Sequence, residues 1–272
     1  AYLAIPDSIN GTIYTDYEGN AFGVTAGSRT LAVDGRYFDV NYFSGSPYTQ
    51  AVNIPQGQSF NIALNPTDET GKAAMNAYIE SNVVRDFSLA RNPSYPTIGG
   101  QQNWDINIGV SGSCNAFYDG SSINFYNAGG GCNNTAFSVV VHHEYGHHLV
   151  NTGGSGQNEF GEGSGDVMGV LIERDSKLAR GFFQSDCNNG IRDADNTCTF
   201  DSSGCSSCGS AIHSCGQLIS GCVWDTVAAF EDSGMSADEA NFYMGDLYLN
   251  MIPLHSGGSI QQDILILSLI HI

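Results

Sequence analysis

The sequence predicts an α+β fold in which a β-rich module, a mixed sheet and a helical C-terminal lobe follow one another along the chain. Short runs rich in Thr, Tyr, Phe and Val alternate with turn clusters up to about residue 60. From Thr70 the spacing of apolar residues becomes helical, and this run stops at Asn92-Pro93. The second half of the chain is mostly helical, apart from a cysteine-rich loop at about residues 186–208.

The first module is predicted to span residues 1–62 and to be a small β-sandwich. Its strands are expected in the runs GTIYT, NAFGV, RTLAV and RYFDVNYF, which turn clusters separate. The chain begins inside this strand region, so we expect the module to be incomplete.

The second domain is predicted to span residues 63–266. A strand is expected at Trp104–Val110, followed by the hairpin NAFYDGSSINFY, whose turn is marked by Asp119-Gly120. A glycine-rich segment then leads into a helix that ends at residues 151–153. The last six residues, LSLIHI at 267–272, look like a translated sequencing adaptor, and we expect them to be a non-native tail.

Composition limits the classes of function. The chain has 272 residues, of which 41% are hydrophobic, enough for a sizeable core. Its net charge is −19 with nine Lys and Arg, which argues against binding to nucleic acid or to an anionic membrane. The sequence also contains no apolar run of the roughly 18 residues that a membrane span requires.

The cysteines indicate an exported protein. There are eight of them: Cys114, Cys132, Cys187, Cys198, Cys205, Cys208, Cys215 and Cys222. An even number among many Gly, Ser and Asn residues is typical of secreted, disulfide-bonded chains. We expect the bridges Cys114–Cys132 and Cys187–Cys198, and the pairing of the other four stays open. The alternative for those four is a second zinc site.

The segment VHHEYGHHLV, at residues 141–150, contains four of the seven histidines. His143 and His147 are four residues apart, so on a helix they project from one face. Glu144 completes the pattern H-E-x-x-H, in which two imidazoles bind zinc and the Glu is the general base. His142 and His148 point to the flanks of that face, and we do not expect them to bind the metal.

A catalytic zinc ion needs a third protein ligand, with water in the fourth position. Metzincins have Gly and His at the positions held here by Val150 and Gly153, which excludes that class. In FGEGSGDVMG, Glu162 is the predicted third ligand, and Asp166 is predicted to accept the second ring N–H of a ligating histidine. The alternative is that both carboxylates only solvate the start of a helix.

HEYGH followed at modest distance by GEGSGD resembles the fungalysin family and its thermolysin-like relatives, in which a Glu supplies the third zinc ligand. The resemblance spans about residues 70–250 and implies a zincin-type catalytic domain with a mixed sheet and an active-site helix. It matches NAFYDGSSINFY to the edge strand of the family's cleft, so Asn115 and Ala116 are implied to bind the substrate's main chain. Fungalysin-like enzymes continue beyond the end of this chain, so the domain is expected to be truncated.

The resemblance implies a secreted zinc metallopeptidase of the gluzincin type. The metal activates water and polarises the scissile carbonyl, while Glu144 moves the proton to the leaving amine. His213, which is followed by Gly216 and Trp224, resembles a histidine that faces the cleft in fungalysin-like chains. The resemblance implies that His213 donates a hydrogen bond to the oxyanion. From the pattern alone, His213 would be an ordinary residue at a helix start.

Calcium is a second candidate cofactor. The segment DCNNGIRDADN contains the oxygen ligands that calcium prefers: Asp186, Asp193, Asp195 and Asn196. Their order is not that of an EF-hand loop, and a solvated loop is the alternative.

Two other functions stay open. One is a non-catalytic exported binding or adhesion module with an incidental or decayed H-E-x-x-H. The other is a zinc aminopeptidase, since the exclusion of longer peptides depends on the shape of the cleft. The intact pattern with its Glu favours an endopeptidase acting on a protein or peptide substrate.

Overall fold

A computed structural model describes residues 1–200, 204–261 and 264 of the chain. The predicted tail at 267–272 lies outside these residues. The described part has the predicted α+β fold. Its elements are β1 Ala4–Asp7, β2 Gly11–Tyr14, β3 Gly27–Ala32, β4 Phe38–Tyr42, β5 Thr49–Ile54, α1 Glu69–Arg91, β6 Trp104–Val110, β7 Ala116–Tyr118, β8 Ser122–Tyr126, α2 Ser138–Gly153, α3 Asn158–Glu173, β9 Lys177–Leu178, β10 Arg192–Asp193, α4 Ile212–Asp232 and α5 Ala237–Met251, with short 3-10 helices at Ile98–Gly100 and Ile252–Leu254.

The chain divides into two compact units. The first contains residues 1–82 and 101–137, and the second contains residues 83–100 and the described residues from 138 onward. Helix α1 supplies residues to both. The domain boundary after residue 62 stays a prediction.

The N-terminal strands of the first unit form two antiparallel pairs, β1 with β2 and β3 with β5. Ile5, Leu31 and Ile54 are buried together between them. The run at residues 20–24, predicted to be a strand, forms none. It contains Gly23, whose φ of +74° is incompatible with an extended strand.

A four-stranded sheet completes the first unit, in the order β4-β6-β8-β7. The strands β4, β6 and β8 are parallel, and β7 pairs antiparallel with β8 as an edge strand. The predicted strand at Trp104–Val110 and the predicted hairpin are both present. Asp119 stabilises the hairpin turn, because its Oδ1 accepts the backbone N–H groups of Ser121 and Ser122 over 2.8 Å. Strand β4, which lies in the predicted module, joins this sheet through β6.

Helices dominate the second unit, where α3 packs against both α2 and α4, and α4 packs against α5. The largest fully buried side chains of these helices include Tyr145, Leu149, Phe160, Met168 and Leu171. Within the described residues, every helix is too short or too polar to cross a membrane.

One expected disulfide is present and one is wrong. Cys114 is bonded to Cys132, as expected. Cys198 is bonded to Cys208 instead of Cys187, which is an exposed free thiol. A disulfide requires Cα atoms about 4.4–6.8 Å apart, and the chain path brings Cys198 and Cys208 to 5.2 Å.

The alternative of a second zinc site formed by cysteines is also wrong. Cys205 is bonded to Cys215, so three of the four cysteines in question are in disulfides. The fourth, Cys222, lies half-buried in α4 as a free thiol. Thiols held in disulfides are not available as metal ligands.

Candidate active site

Helix α2 presents two histidines on one face. The helix begins with Val139, Val140 and Val141, whose side chains are buried and fix its N-terminal turn in the core. Because an α-helix has about 3.6 residues per turn, His143 and His147 lie one above the other. Their ring centroids are 4.9 Å apart and their Nε2 atoms 3.2 Å apart.

Glu162 of helix α3 faces both imidazoles. Its Oε2 atom lies 3.3 Å from Nε2 of His143 and 3.8 Å from Nε2 of His147. The structure therefore brings the three sequence-predicted ligands together, and their ligand atoms all lie within 4.8 Å of one another.

These three residues fit a metal ion. Glu162 is buried, and within the described part of the chain its Oε2 atom has no hydrogen bond of acceptable geometry. A buried carboxylate oxygen without such a bond costs free energy. Two imidazole nitrogens and one carboxylate oxygen are the donor set of a catalytic zinc site that keeps one position for water. A divalent cation would satisfy Glu162.

Glycines let α3 approach the histidines. A Cβ atom on Gly165 would lie 2.6 Å from Nδ1 of His143, and one on Gly146 of α2 would lie 2.7 Å from Cα of Gly165. On the opposite side of α3, a Cβ on Gly163 would meet the backbone oxygen of Gly216 in α4 at 2.8 Å. The spacing of glycines in GEGSGDVMG is the sequence signal for this packing.

Asp166 accepts a hydrogen bond from His143, with 2.9 Å between Oδ1 and Nδ1. Arg192 of β10 binds the same carboxylate through Nε and Nη2, each over 2.6 Å. Burial alone would raise the pKa of Asp166, but Arg192 and His143 hold it far below its ordinary value. The sequence predicted Asp166 and missed Arg192, which lies inside the segment assigned to calcium.

Gln157 is the second side chain of the site that was not predicted from the sequence. It precedes α3, and its Oε1 atom lies 2.7 Å from Nδ1 of His147. Its Nε2 atom donates to the backbone oxygen of the same residue over 3.1 Å. Both histidines are thus held by their Nδ1 atoms, and their Nε2 atoms face Glu162.

The two histidines differ in basicity before any metal binds. Burial lowers the pKa of His143, but the nearby carboxylates of Asp166 and Glu162 outweigh burial and raise it to about 10. Burial and the charge on His143 lower the pKa of His147 to about 4. A metal ion that binds here must therefore displace a proton from His143.

The other residues of the motif are buried around this pair. Glu144 is 6% exposed and interacts electrostatically with His143 and Arg192. His142 lies 3.5 Å from a carboxylate oxygen of Glu173. His148 packs by its ring against Tyr145, and burial lowers its pKa to about 4.

His213 lies in the first turn of α4 and reaches the same carboxylate. Its Nε2 atom is 3.1 Å from Oε2 of Glu162, and about half of its side chain (52%) is exposed. Burial of the remainder lowers its pKa. The lowered pKa favours the neutral ring, which carries one N–H.

Asn115 and Ala116 lie in the first unit. Ala116 begins the edge strand β7, and the backbone oxygen of Asn115 accepts a hydrogen bond from Oγ1 of Thr135. Their contact with a substrate stays a prediction.

Two of the predicted calcium ligands bind other groups of the protein. Asp186 accepts two backbone N–H groups of its own loop, and Asp193 forms an ion pair with Lys177. Some described His, Cys, Asp and Glu side chains form groups of three that lie close enough together to hold one ion. Asp186, Asp193 and Asp195 belong to none of these groups. The calcium site, with Asn196 as its fourth ligand, stays a prediction.

Comparison with known protein families gives no match, and comparison with curated proteins gives none either. Among solved structures, the chain is similar to the precursor of protealysin, a metalloproteinase from Serratia proteamaculans. The TM-score is 0.59 at 14% sequence identity, and the match covers 86% of this chain and 80% of that chain. The chain therefore shares the α+β fold of that structure.

Proposed function

We propose that the protein is a secreted zinc-dependent endopeptidase in which His143, His147 and Glu162 hold the metal. The observation that carries the proposal is the buried Oε2 atom of Glu162, which faces two imidazole nitrogens at 3.3 and 3.8 Å without a hydrogen bond among the described residues. A third ligand that is a Glu on the following helix is the gluzincin arrangement. The fold shared with a metalloproteinase supports the same class.

Zinc held by these residues would lower the pKa of a water molecule and polarise the carbonyl of the scissile peptide. Glu144 is the general base: it accepts the proton of the attacking water and delivers it to the leaving amine nitrogen. Asp166 holds the imidazole of His143 by its Nδ1–H, which fixes the ring and leaves Nε2 for the metal.

His213 is proposed to stabilise the tetrahedral intermediate. Its exposed position and its neutral ring leave an N–H that can donate to the developing oxyanion. Its 3.1 Å contact with Glu162 supports this role, because it brings the ring beside the ligand group.

The substrate is proposed to be an extended protein or peptide chain. Among the described strands, β7 pairs only with β8, so its other edge offers backbone groups to an added strand. Asn115 and Ala116, at the start of β7, are the proposed contacts. The three disulfides support an exported protein, since such bonds persist in oxidising compartments.

Zinc content and digestion of casein, measured together, test the proposal. Wild type is expected to hold one zinc per chain and to release internal casein fragments, whereas release of single amino acids would indicate an aminopeptidase. Glu144→Gln should keep the zinc and lose about 10²–10⁴-fold in turnover, because the side chain is a base and not a ligand. Asp225→Asn, at an exposed position of α4, is the control and should match wild type.

Absence of zinc from the wild-type protein after loading would overturn the proposal. Equal turnover of Glu144→Gln and wild type would overturn the role of the base.

A further inference from the structure

The hydrogen bonds of Gln157 determine which ring nitrogen of His147 carries the proton. The Nε2 amide group of Gln157 donates to the backbone oxygen of His147, which can only accept. This fixes the amide orientation, so Oε1 must be the atom that faces Nδ1 of His147 at 2.7 Å. Since Oε1 can only accept, Nδ1 carries the hydrogen and Nε2 keeps its lone pair.

Gln157 occupies a position where another role would be expected. It is the N-cap residue of α3, yet its side chain makes no capping hydrogen bond. The N–H of Phe160, in the first turn of the helix, instead donates to the backbone oxygen of Gly258 over 2.8 Å, and the N–H of Gly156 donates to the backbone oxygen of Gly257 over 2.8 Å. The segment at 257–258 therefore caps the helix and leaves the Gln157 amide to His147.

Gly161 provides the space for this amide. A Cβ atom at Gly161 would lie 2.7 Å from Oε1 of Gln157 and 3.1 Å from Nδ1 of His147. Any larger residue would displace the Gln157 side chain, whose end is the mobile partner. The hydrogen bond between Gln157 and His147 thus depends on two residues. Gln157 forms the bond, and Gly161 only leaves space for it.

We propose that Gln157 is a positioning residue that holds His147 in the Nδ1–H tautomer, so that Nε2 is preset as a metal ligand. The inference rests on the proposed zinc site. It makes the two imidazoles unequal: a buried carboxylate holds His143, whereas a neutral amide holds His147. Replacing outer-shell partners of this kind typically weakens metal binding by about 10–100-fold.

Zinc affinity by chelator competition and the ring 15N and 13C shifts of His147 in the metal-free protein are the two readouts. Gln157→Met, which keeps the length but has no amide, should weaken zinc binding about 10–100-fold and lose the uniform Nδ1–H tautomer. Gln157→Glu retains an acceptor for Nδ1–H, so it should keep the tautomer. Gln217→Met, a half-buried glutamine of α4, is the matched control and should leave both readouts unchanged.

Gly161→Ala is a second, independent variant. It removes no hydrogen-bonding group, and a purely structural role for Gln157 predicts no change in tautomer. We expect it to shift the ring signals of His147 and to weaken zinc binding in the same direction as Gln157→Met. If Gln157→Met does not fold, the result for Gly161→Ala by itself tests the role of Gln157.

Failure of this inference and failure of the proposed function give different results. If wild type binds no zinc, the proposed function fails. If wild type binds zinc while Gln157→Met and Gly161→Ala bind it equally tightly with unchanged ring signals, only the role of Gln157 is overturned.

Discussion

Arg192 holds Asp166 in a bidentate pair: Nε donates to Oδ2 and Nη2 donates to Oδ1, each over 2.6 Å. Two parallel bonds between a guanidinium and a carboxylate are among the strongest side-chain interactions, and they fix orientation as well as charge. Asp166 is 1% exposed and also binds Nδ1 of His143. A residue of a short strand outside helices α2 and α3 is thus linked to a proposed metal ligand through one carboxylate.

Replacing Arg192 with Met should remove the strongest charge interaction of the buried Asp166 carboxylate and leave only His143 to compensate its charge. We expect the free energy of unfolding to fall by about 3 kcal/mol and zinc affinity to fall by about 10–100-fold. Asp166→Asn should weaken zinc binding by a similar factor. Denaturant titration and chelator competition measure the two effects.

Arg180→Met is the matched control for Arg192, because Arg180 forms an exposed ion pair with Asp175. Exposed ion pairs contribute little to the free energy of folding. We therefore expect Arg180→Met to leave the zinc affinity unchanged. A zinc affinity of Arg192→Met equal to that of wild type would show that Arg192 does not support the site.

Removing the third ligand should affect metal and activity together. Glu162→Ala should lower zinc affinity by more than the roughly 10–100-fold expected for outer-shell changes, because a direct ligand is lost. Glu231→Ala, an exposed carboxylate of α4, is the control. If Glu162→Ala binds zinc as tightly as wild type, another residue, with His213 the nearest candidate, completes the site.

His213→Ala should separate turnover from binding. Loss of one oxyanion donor costs about 10²–10³-fold in turnover, and we expect zinc content and KM to stay near the wild-type values. His213→Gln, which keeps an N–H donor, should recover part of the loss. A fall in zinc occupancy would identify His213 as a ligand, and unchanged turnover would exclude it from catalysis.

Asp7 should make the stability of the first unit sensitive to acid. Hydrogen bonds from Thr25, Asn10 and Ile9 hold the pKa of Asp7 well below its ordinary value of 3.8. A carboxyl group with a depressed folded-state pKa stabilises the fold above its unfolded pKa, and this contribution is lost as the pH falls below it. The thermal midpoint of wild type should therefore decline below about pH 4.

Asp7→Asn cannot titrate, so its thermal midpoint should be lower at pH 7 and should change less between pH 5 and pH 3. Glu18→Gln, at an exposed position of the same unit, should follow wild type. Parallel curves for Asp7→Asn and wild type would contradict the assignment.

Local patterns were enough to predict many elements. Strand β6 and the hairpin β7–β8 follow from alternation and from the turn at Asp119-Gly120. The spacing of His143 and His147 placed both on one face of α2, since a helical turn has a fixed length. The fold class is confirmed, whereas the predicted strand at 20–24 is absent, because Gly23 leaves the extended conformation.

By itself, the sequence determined the fold class and the residue types of the candidate site, because helical and strand periods and the H-E-x-x-H spacing are local properties. Only the tertiary structure decided which distant groups meet. Arg192 and Gln157 find their partners through the close packing of glycines between α2 and α3 and through the path of the segment around β10. The pairing of Cys198 with Cys208, instead of Cys187, has the same origin. These contacts depend on how the chain folds back in three dimensions, and no period of two or 3.6 residues encodes that path.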